Sequence, residues 1–223
     1  MSYKNTIADM KCETFQEANE KAVLVRNTNG DKIGRLVPVG NWILEDKEKI
    51  ELIRAWRQRT MRMFLTQFDS TYERTYQYLK NFSIAQEGRI FFMLYDESER
   101  LVGHIGMAEV DGNSGELDNL MRGVDGGDPR LIYFSELALL DWSFKNLDIR
   151  QSDVRVVSYN WLVISLHEEV GYVLTNNFPL KKYEKDSVLF HDIVDETESN
   201  VKYGCTKMLL DKEDFYMKAS WLV

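Results

Sequence analysis

The chain has 223 residues, of which 44% are hydrophobic and 29% charged, enough for one large domain with a sizeable core. Its formal net charge of −8 argues against nucleic acid or an anionic membrane as the main partner, because phosphate neutralisation needs an excess of Lys and Arg. No run of 18 apolar residues occurs, and the start MSYKNTIADMKC lacks a charged-then-apolar signal pattern, so a cytoplasmic location is the expectation.

In chain order, residues 1–20 are polar and weakly patterned, and residues 1–40 read as an N-terminal extension before a domain over 41–223. Two β-rich runs, Ala22–Arg26 and Ile33–Val39, flank an Asn27–Asp31 turn and predict a hairpin. Residues 45–58 place Leu44, Ile50, Leu52, Ile53 and Trp56 at helical spacing. A second helix over 70–80 follows, with Asp69 or Ser70 as its cap. Arg89–Tyr95 and Arg100–Val110 form an antiparallel pair about the Asp96–Glu99 turn. Glu116–Met121 is a shorter strand after a turn at Asp111–Gly115. Arg122–Asp128 is a Gly/Asp loop. The Arg130–Asn146 helix carries Leu131, Phe134, Ala138 and Trp142 on one face. Next come a strand at Asp153–Ser158, a helix at Trp161–Glu169 and a strand starting at Tyr172–Thr175. Lys181–Phe190 and Lys202–Leu210 close the sheet, and a short helix starts at Asp211. The expected fold is α/β of the α+β kind, a mixed and mostly antiparallel sheet flanked by helices, with one parallel crossover through 130–146. Cys12 and Cys205 are expected to be free and partly buried.

Three segments carry chemistry. The first is Asn160-Trp-Leu-Val163-Ile-Ser-Leu166-His167-Glu168-Glu-Val-Gly171-Tyr172. Asn160 stands where a strand ends and a helix begins, a good N-cap position, and Gly171 stands where a helix must end. The second is Arg122-Gly-Val-Asp125-Gly126-Gly127-Asp128-Pro129, before the longest helix. Unpaired N–H groups and the positive dipole end at such a place suit a pyrophosphate, and glycines allow close approach. Asp128 fits as N-cap and Pro129 as first-turn residue. Arg122 and Arg130 are the cations that offset Asp125 and Asp128. The third is Glu116-Leu-Asp118-Asn119-Leu-Met121. Period two puts Glu116 and Asp118 on one face and Leu117, Asn119 and Met121 on the other. Two carboxylates on one strand face suggest solvent, a salt bridge or a site.

The element order over residues 40–211, with these segments, resembles the GNAT superfamily of acyl-CoA N-acyltransferases. Asn160, Leu166, Glu168 and Gly171 fit that family's Asn-x-x-Ala-x-x-Leu-Tyr-Glu-x-x-Gly-Phe pattern. Val163 and Tyr172 are substitutions, and His167 stands at the tyrosine position. The loop departs from the family's usual Arg/Gln-x-x-Gly-x-Gly/Ala form. The resemblance implies acetyl-CoA or another short acyl-CoA as co-substrate, and cofactor contacts at Asn119, Met121, Arg122, Gly126, Gly127, Asp128, Arg130 and Asn160. It implies Glu116 or Asp118 as the base and His167 as the proton donor to sulfur, with a backbone N–H near Asn119–Met121 polarising the thioester. The wording Glu116-Leu-Asp-Asn…Arg-Gly, with Ala55-Trp56-Arg57 and Thr71…Tyr78-Leu79 upstream, is similar to bacterial enzymes that acylate nucleotide-linked amino sugars.

The implied partner is therefore a small-molecule amine, and a homodimer is compatible with this reading. A protein or ribosomal-protein N-terminus, a polyamine or an aminoglycoside are other acceptors for the same chemistry. A non-catalytic acyl-CoA-binding module is the alternative of another class. The three histidines make no metal-ligand spacing, and no metal is expected.

Overall fold

The computed structural model describes residues 2–222. Residues 1–20, expected to lack pattern, contain two helices, α1 (Tyr3–Met10) and α2 (Phe15–Glu20). The sequence held a cue for the second. Thr14 accepts from the Glu17 N–H while the Glu17 carboxylate accepts from the Thr14 N–H, a complete capping box. Helices this short are marginal alone, and buried Ile7, Met10 and Ala18 supply the packing that holds them.

The expected hairpin is β1 (Val23–Arg26) and β2 (Lys32–Pro38). Helix α3 (Lys47–Arg59) starts at Asp46, whose side chain accepts from the Lys49 N–H, and buries Ile50, Ile53 and Trp56 while Leu52 stays exposed. A two-residue β3 (Gln67–Phe68) precedes α4 (Tyr72–Tyr78), which runs on into a π-helical turn at Leu79–Ile84. The cap of α4 is Thr71, not Asp69 or Ser70; its Oγ1 accepts from the Arg74 N–H at 3.2 Å. Then come β4 (Ile90–Asp96), β5 (Leu101–Ala108), β6 (Ser114–Arg122), α5 (Leu131–Asn146), β7 (Gln151–Val157) and α6 (Trp161–Val170).

The next region departs from expectation. The stretches 172–175 and 181–190 are not two strands in the sheet but parts of one hairpin. β8 (Val173–Lys185) runs through thirteen residues to a turn at Asp186–Ser187, both at positive φ, and β9 (Val188–Ile193) returns. Such a turn needs residues that tolerate φ > 0, and an Asp-Ser pair inside a β-rich run gave little warning of it. β10 (Gly204–Asp211) and α7 (Lys212–Lys218) finish the chain. Asp211 is at the N-cap, but its carboxylate accepts from Gln151 and caps nothing.

All ten strands join in the order β1-β2-β4-β5-β6-β7-β10-β8-β9-β3. Helix α5 packs on one face and α2 and α3 on the other, each over its own apolar cluster. Helix α5 is buried on more than the expected stripe. Phe134, Leu137, Leu140 and Phe144 are enclosed, and so are Ser135, Glu136 and Ser143. No helix among the described residues is long and apolar enough to cross a membrane.

Two irregularities shape the centre of the sheet. β6 and β7 are parallel, but pairing covers only Ser114–Glu116 against Gln151–Asp153, after which the strands part. Opposite β5, the register slips: Gly106 faces Asp118 while His104 faces Met121, so Asn119 and Leu120 together oppose one residue. This is a β-bulge, and Asn119 takes φ 55, a conformation Asn accepts better than most residues. The bulge overturns the alternation expected from period two. Leu117 and Leu120 pack on the α5 cluster, whereas Met121 turns to α3, where the Thr60 hydroxyl contacts its sulfur. Asn119 turns to the side of Asp118 and donates to it.

Candidate active site

A cavity of about 590 Å³ lies where β6 and β7 part. Residues 116–122 of β6 and 154–156 of β7 form its walls. Pro129, Arg130, Ile132 and Tyr133 close one end, and Asn160, Leu162, Val163, Leu166, His167 and Glu169 of the α6 region another. Thr60, Met63 and Phe64 border it from the end of α3. The sequence-derived residues Glu116, Asp118, Asn119, Met121, Arg122, Arg130, Asn160 and His167 thus meet at one cavity. Gly126, Gly127 and Asp128 lie in the loop beside it.

Both carboxylates are engaged. Glu116 is clamped by Arg155, whose Nε lies 3.0 and 3.1 Å from its two oxygens, and Arg155 also reaches Glu109 at 2.9 Å. Burial pushes the Glu116 carboxyl above its ordinary range despite the opposing pull of Arg155. Asp118 pairs with Arg89 and accepts from the Asn119 N–H and side-chain amide, each at 2.7 Å. The amide also donates to the Tyr78 hydroxyl at 2.7 Å. Asp118 is therefore occupied in fixing the bulge. The Asn119 N–H is spent on it, which leaves Leu120, out of the β5 register, as the nearer candidate for a free strand N–H.

His104 fixes the bulge from beneath. It is buried, packs against Phe91 and Trp56, and its Nδ1 lies 2.6 Å from the Asn119 carbonyl. Burial pulls its pKa down to about 4, so near neutrality the ring is uncharged and Nδ1–H is the donor.

His167 does not stand alone. Its Nδ1 is 2.7 Å from Glu136 Oε1, and its ring packs edge-on against Tyr172, whose hydroxyl bonds Ser152 at 2.7 Å. Asn160 occupies the N-cap position of α6 as expected, yet its side chain makes no cap bond there. It lines the cavity, and its amide has no hydrogen-bond partner among the described residues. Gly171 ends α6 at φ 129 and donates to the His167 carbonyl at 3.0 Å, the expected C-terminal role.

The glycine loop differs from expectation in its cations. The Arg122 guanidinium donates inward to the Val124, Gly126 and Pro129 carbonyls, bracing the loop. Arg130 pairs with Glu169 on α6 and lies over the Tyr133 ring at 4.1 Å. Asp128 accepts from the Arg130 N–H at 2.7 Å, and α5 proper starts one residue later than predicted, at Leu131. What remains for an anion is backbone. Gly126 and Gly127 have φ 129 and 68, and their N–H groups meet no acceptor among the described residues.

No family model matches this sequence, and no curated protein matches it. Solved structures do. A spermidine N-acetyltransferase from Vibrio cholerae, solved with CoA and spermine, superposes with a TM-score of 0.54 at 14% identity, over 75% of this chain and 92% of that one. FdhC, described as a nucleotide-linked sugar GNAT, gives 0.58 at 14% identity, over 85% and 94%. The dodecameric form of the Vibrio enzyme gives 0.58 at 14%, over 82% and 95%. The chain has the GNAT fold. Within that fold, the parted strands, the bulged strand and the two ends of the glycine loop, Arg122 and Pro129, border the same cavity.

Sequence reasoning missed Glu136, Arg155, Arg89 and the rim residues Thr60, Met63 and Phe64, and it noted Tyr78 only as part of the resemblance. Only Glu136 left a clear signal, as the one charge between Leu131 and Leu140 in an otherwise apolar helix.

Proposed function

We propose that this chain is an acetyl-CoA-dependent N-acetyltransferase of the cytoplasm. Its acceptor is the primary amine of a small molecule, an amino sugar or a nucleotide-linked amino sugar. The observation that carries the reading is the cavity between parted β6 and β7, which brings Asn160, Glu116 and His167 together beside the glycine loop. The groups fit acetyl-CoA: free N–H groups at Gly126 and Gly127 suit a pyrophosphate, and the Asn160 amide suits an amide-bearing arm.

In this reading Glu116 takes a proton from the acceptor ammonium, directly or through water, so that the neutral amine can attack the thioester. Burial raises its proton affinity, which suits a base. The Leu120 N–H stabilises the charge that develops on the thioester oxygen. His167 gives a proton to the departing thiolate, with Glu136 orienting its ring. All three cavity carboxylates, Glu116, Asp118 and Glu169, are already paired with arginines, which favours a sugar-like acceptor over a polycation. The test is a panel of amino sugars, nucleotide-linked amino sugars, polyamines and peptides with acetyl-CoA, read by thiol release. Release with the sugars above the rate in water is the expected result. CoA binding without release from any amine would retire the catalytic reading in favour of an acyl-CoA-binding module.

A further inference from the structure

Past the end of β5, where Ala108 faces Glu116, period two would send Glu109 to the face of Met107, toward α5. Val110 takes that place instead and packs with Met107 in the α5 cluster. The chain makes this exchange at Glu109, which adopts φ 51, a left-handed conformation that a glutamate takes only at a cost. A glycine would make the same exchange without that strain. The Glu109 side chain is 66% exposed, so its own burial offsets nothing. What the glutamate adds is a carboxylate, which the turned chain brings to Arg155 of β7 at 2.9 Å.

One guanidinium nitrogen, Arg155 Nη2, is thereby shared between Glu109 Oε1 and Glu116 Oε2, while Nε stays on Glu116 alone. Among the described residues these are the carboxylates within 4.0 Å of Arg155. The other ionisable groups about Glu116 are committed elsewhere or uncharged. Asp118, on the same strand, pairs with Arg89, and Asp153, its register partner on β7, pairs with Lys207 of β10 at 2.7 Å. Burial pushes the Cys205 thiol and the Tyr172 hydroxyl up, so both stay protonated near neutrality. A donor divided between two anions holds each less firmly than it would hold one. We infer that Glu109 is a positioning residue: by drawing Arg155 to the solvent side it loosens the clamp on Glu116 and leaves that carboxylate able to take the acceptor's proton. The inference rests on the reading of Glu116 as the base, but the shared guanidinium does not.

Glu109→Gln tests it, because glutamine keeps the length and the backbone demand and loses the charge. The first readout needs no turnover. In full-length protein carrying 13C at its glutamate carboxyls, the signal missing from Glu116→Gln belongs to Glu116, and its titration midpoint is expected to fall in Glu109→Gln. The second is the pH profile of kcat/KM for thiol release. Its acid limb, taken relative to the plateau, is expected to rise about threefold, the effect of one solvent-screened charge. In an Arg155→Met background the same change is expected to move the midpoint by about half as much or less, since Glu109 acts through Arg155. An unmoved or rising midpoint in Glu109→Gln, or an equal shift with and without Arg155, would overturn the inference. A midpoint that falls through Arg155 while the acid limb stays in place sinks the reading of Glu116 as the base instead, and the hold of Glu109 on Arg155 stands.

Discussion

His167 Nδ1 sits 2.7 Å from Glu136 Oε1, with both side chains almost wholly out of solvent and the second Glu136 oxygen unpartnered. The contact joins α6 to α5 at the cavity wall, and it makes two demands that one substitution cannot separate. His167→Phe removes the proposed proton donor and also strands a buried carboxyl. Breaking such a pair from one side costs about 3–5 kcal/mol, whereas replacing both partners with apolar groups is close to neutral. Urea unfolding is expected to show His167→Phe strongly destabilised and His167→Phe/Glu136→Leu recovered to near wild type. The refolded double variant then isolates the chemistry. Its rate of thiol release from acetyl-CoA is expected to be down about a hundredfold, the usual size of a lost general acid. Wild-type turnover in a stable double variant would make His167 a packing residue.

Glu116 gives a pH test. Burial raises its carboxyl, and a base works only when deprotonated, so kcat/KM is expected to climb with pH through an acid limb set above the ordinary carboxylate range. Glu116→Gln removes both the rate and the limb. Arg155→Met withdraws the opposing pull and moves the limb to still higher pH. An acid limb that survives in Glu116→Gln with its position unchanged would move the base elsewhere, Asp118 first.

The fold was legible wherever local pattern and tertiary role agree. Hydrophobic periodicity marked α3, α5 and β4–β7, and Gly171 with the strand before it marked α6. The strand carrying the chemistry was misread for one reason. Period two holds only while the ladder is regular, and Asn119 inserts one extra residue, so Met121 and Asn119 left their expected faces. The cations were misread for a similar reason. Arg122 was expected as a cation for the glycine loop, yet the Val124, Gly126 and Pro129 carbonyls claim its guanidinium. Partners such as Arg155 on β7 for Glu116 and Arg89 just before β4 for Asp118 come from distant segments, and no spacing rule reaches that far.

The ring beneath the bulge predicts acid sensitivity. The His104 pKa falls from 6.5 to about 4 on folding, with burial as the main cause. Between those values the unfolded chain binds a proton that the folded chain refuses, so stability drops as pH falls through that window, by about 3 kcal/mol in all. His104→Asn keeps a side-chain N–H for the Asn119 carbonyl and removes the titration. Unfolding curves at pH 7.5 and pH 5 are expected to show a smaller loss in His104→Asn than in wild type. Equal losses would mean that the ring is protonated in place.

The glycine loop supplies the last test, because there backbone geometry and ligand binding make opposite demands. Gly126 holds φ 129, a conformation that L side chains rarely adopt, and a Cβ built there would lie 2.1 Å from Arg100 Nη2. Arg100 has its own task, pairing through Nε at 2.9 Å with the buried Asp96. Gly126→Ala must therefore shift both the loop N–H and the Arg100 guanidinium beside it. The strain is about 1–2 kcal/mol. A loop on the surface can yield, so the melting temperature is expected to fall only slightly. Binding cannot yield in the same way, since it needs the N–H groups of Gly126 and Gly127 aimed at one anion, and CoA affinity is expected to drop about tenfold. Adding Arg100→Ala removes the steric conflict but not the dihedral strain, so it should restore only part of the affinity. Full restoration would make the clash the whole effect. An unchanged CoA affinity in Gly126→Ala would move the anion away from this loop.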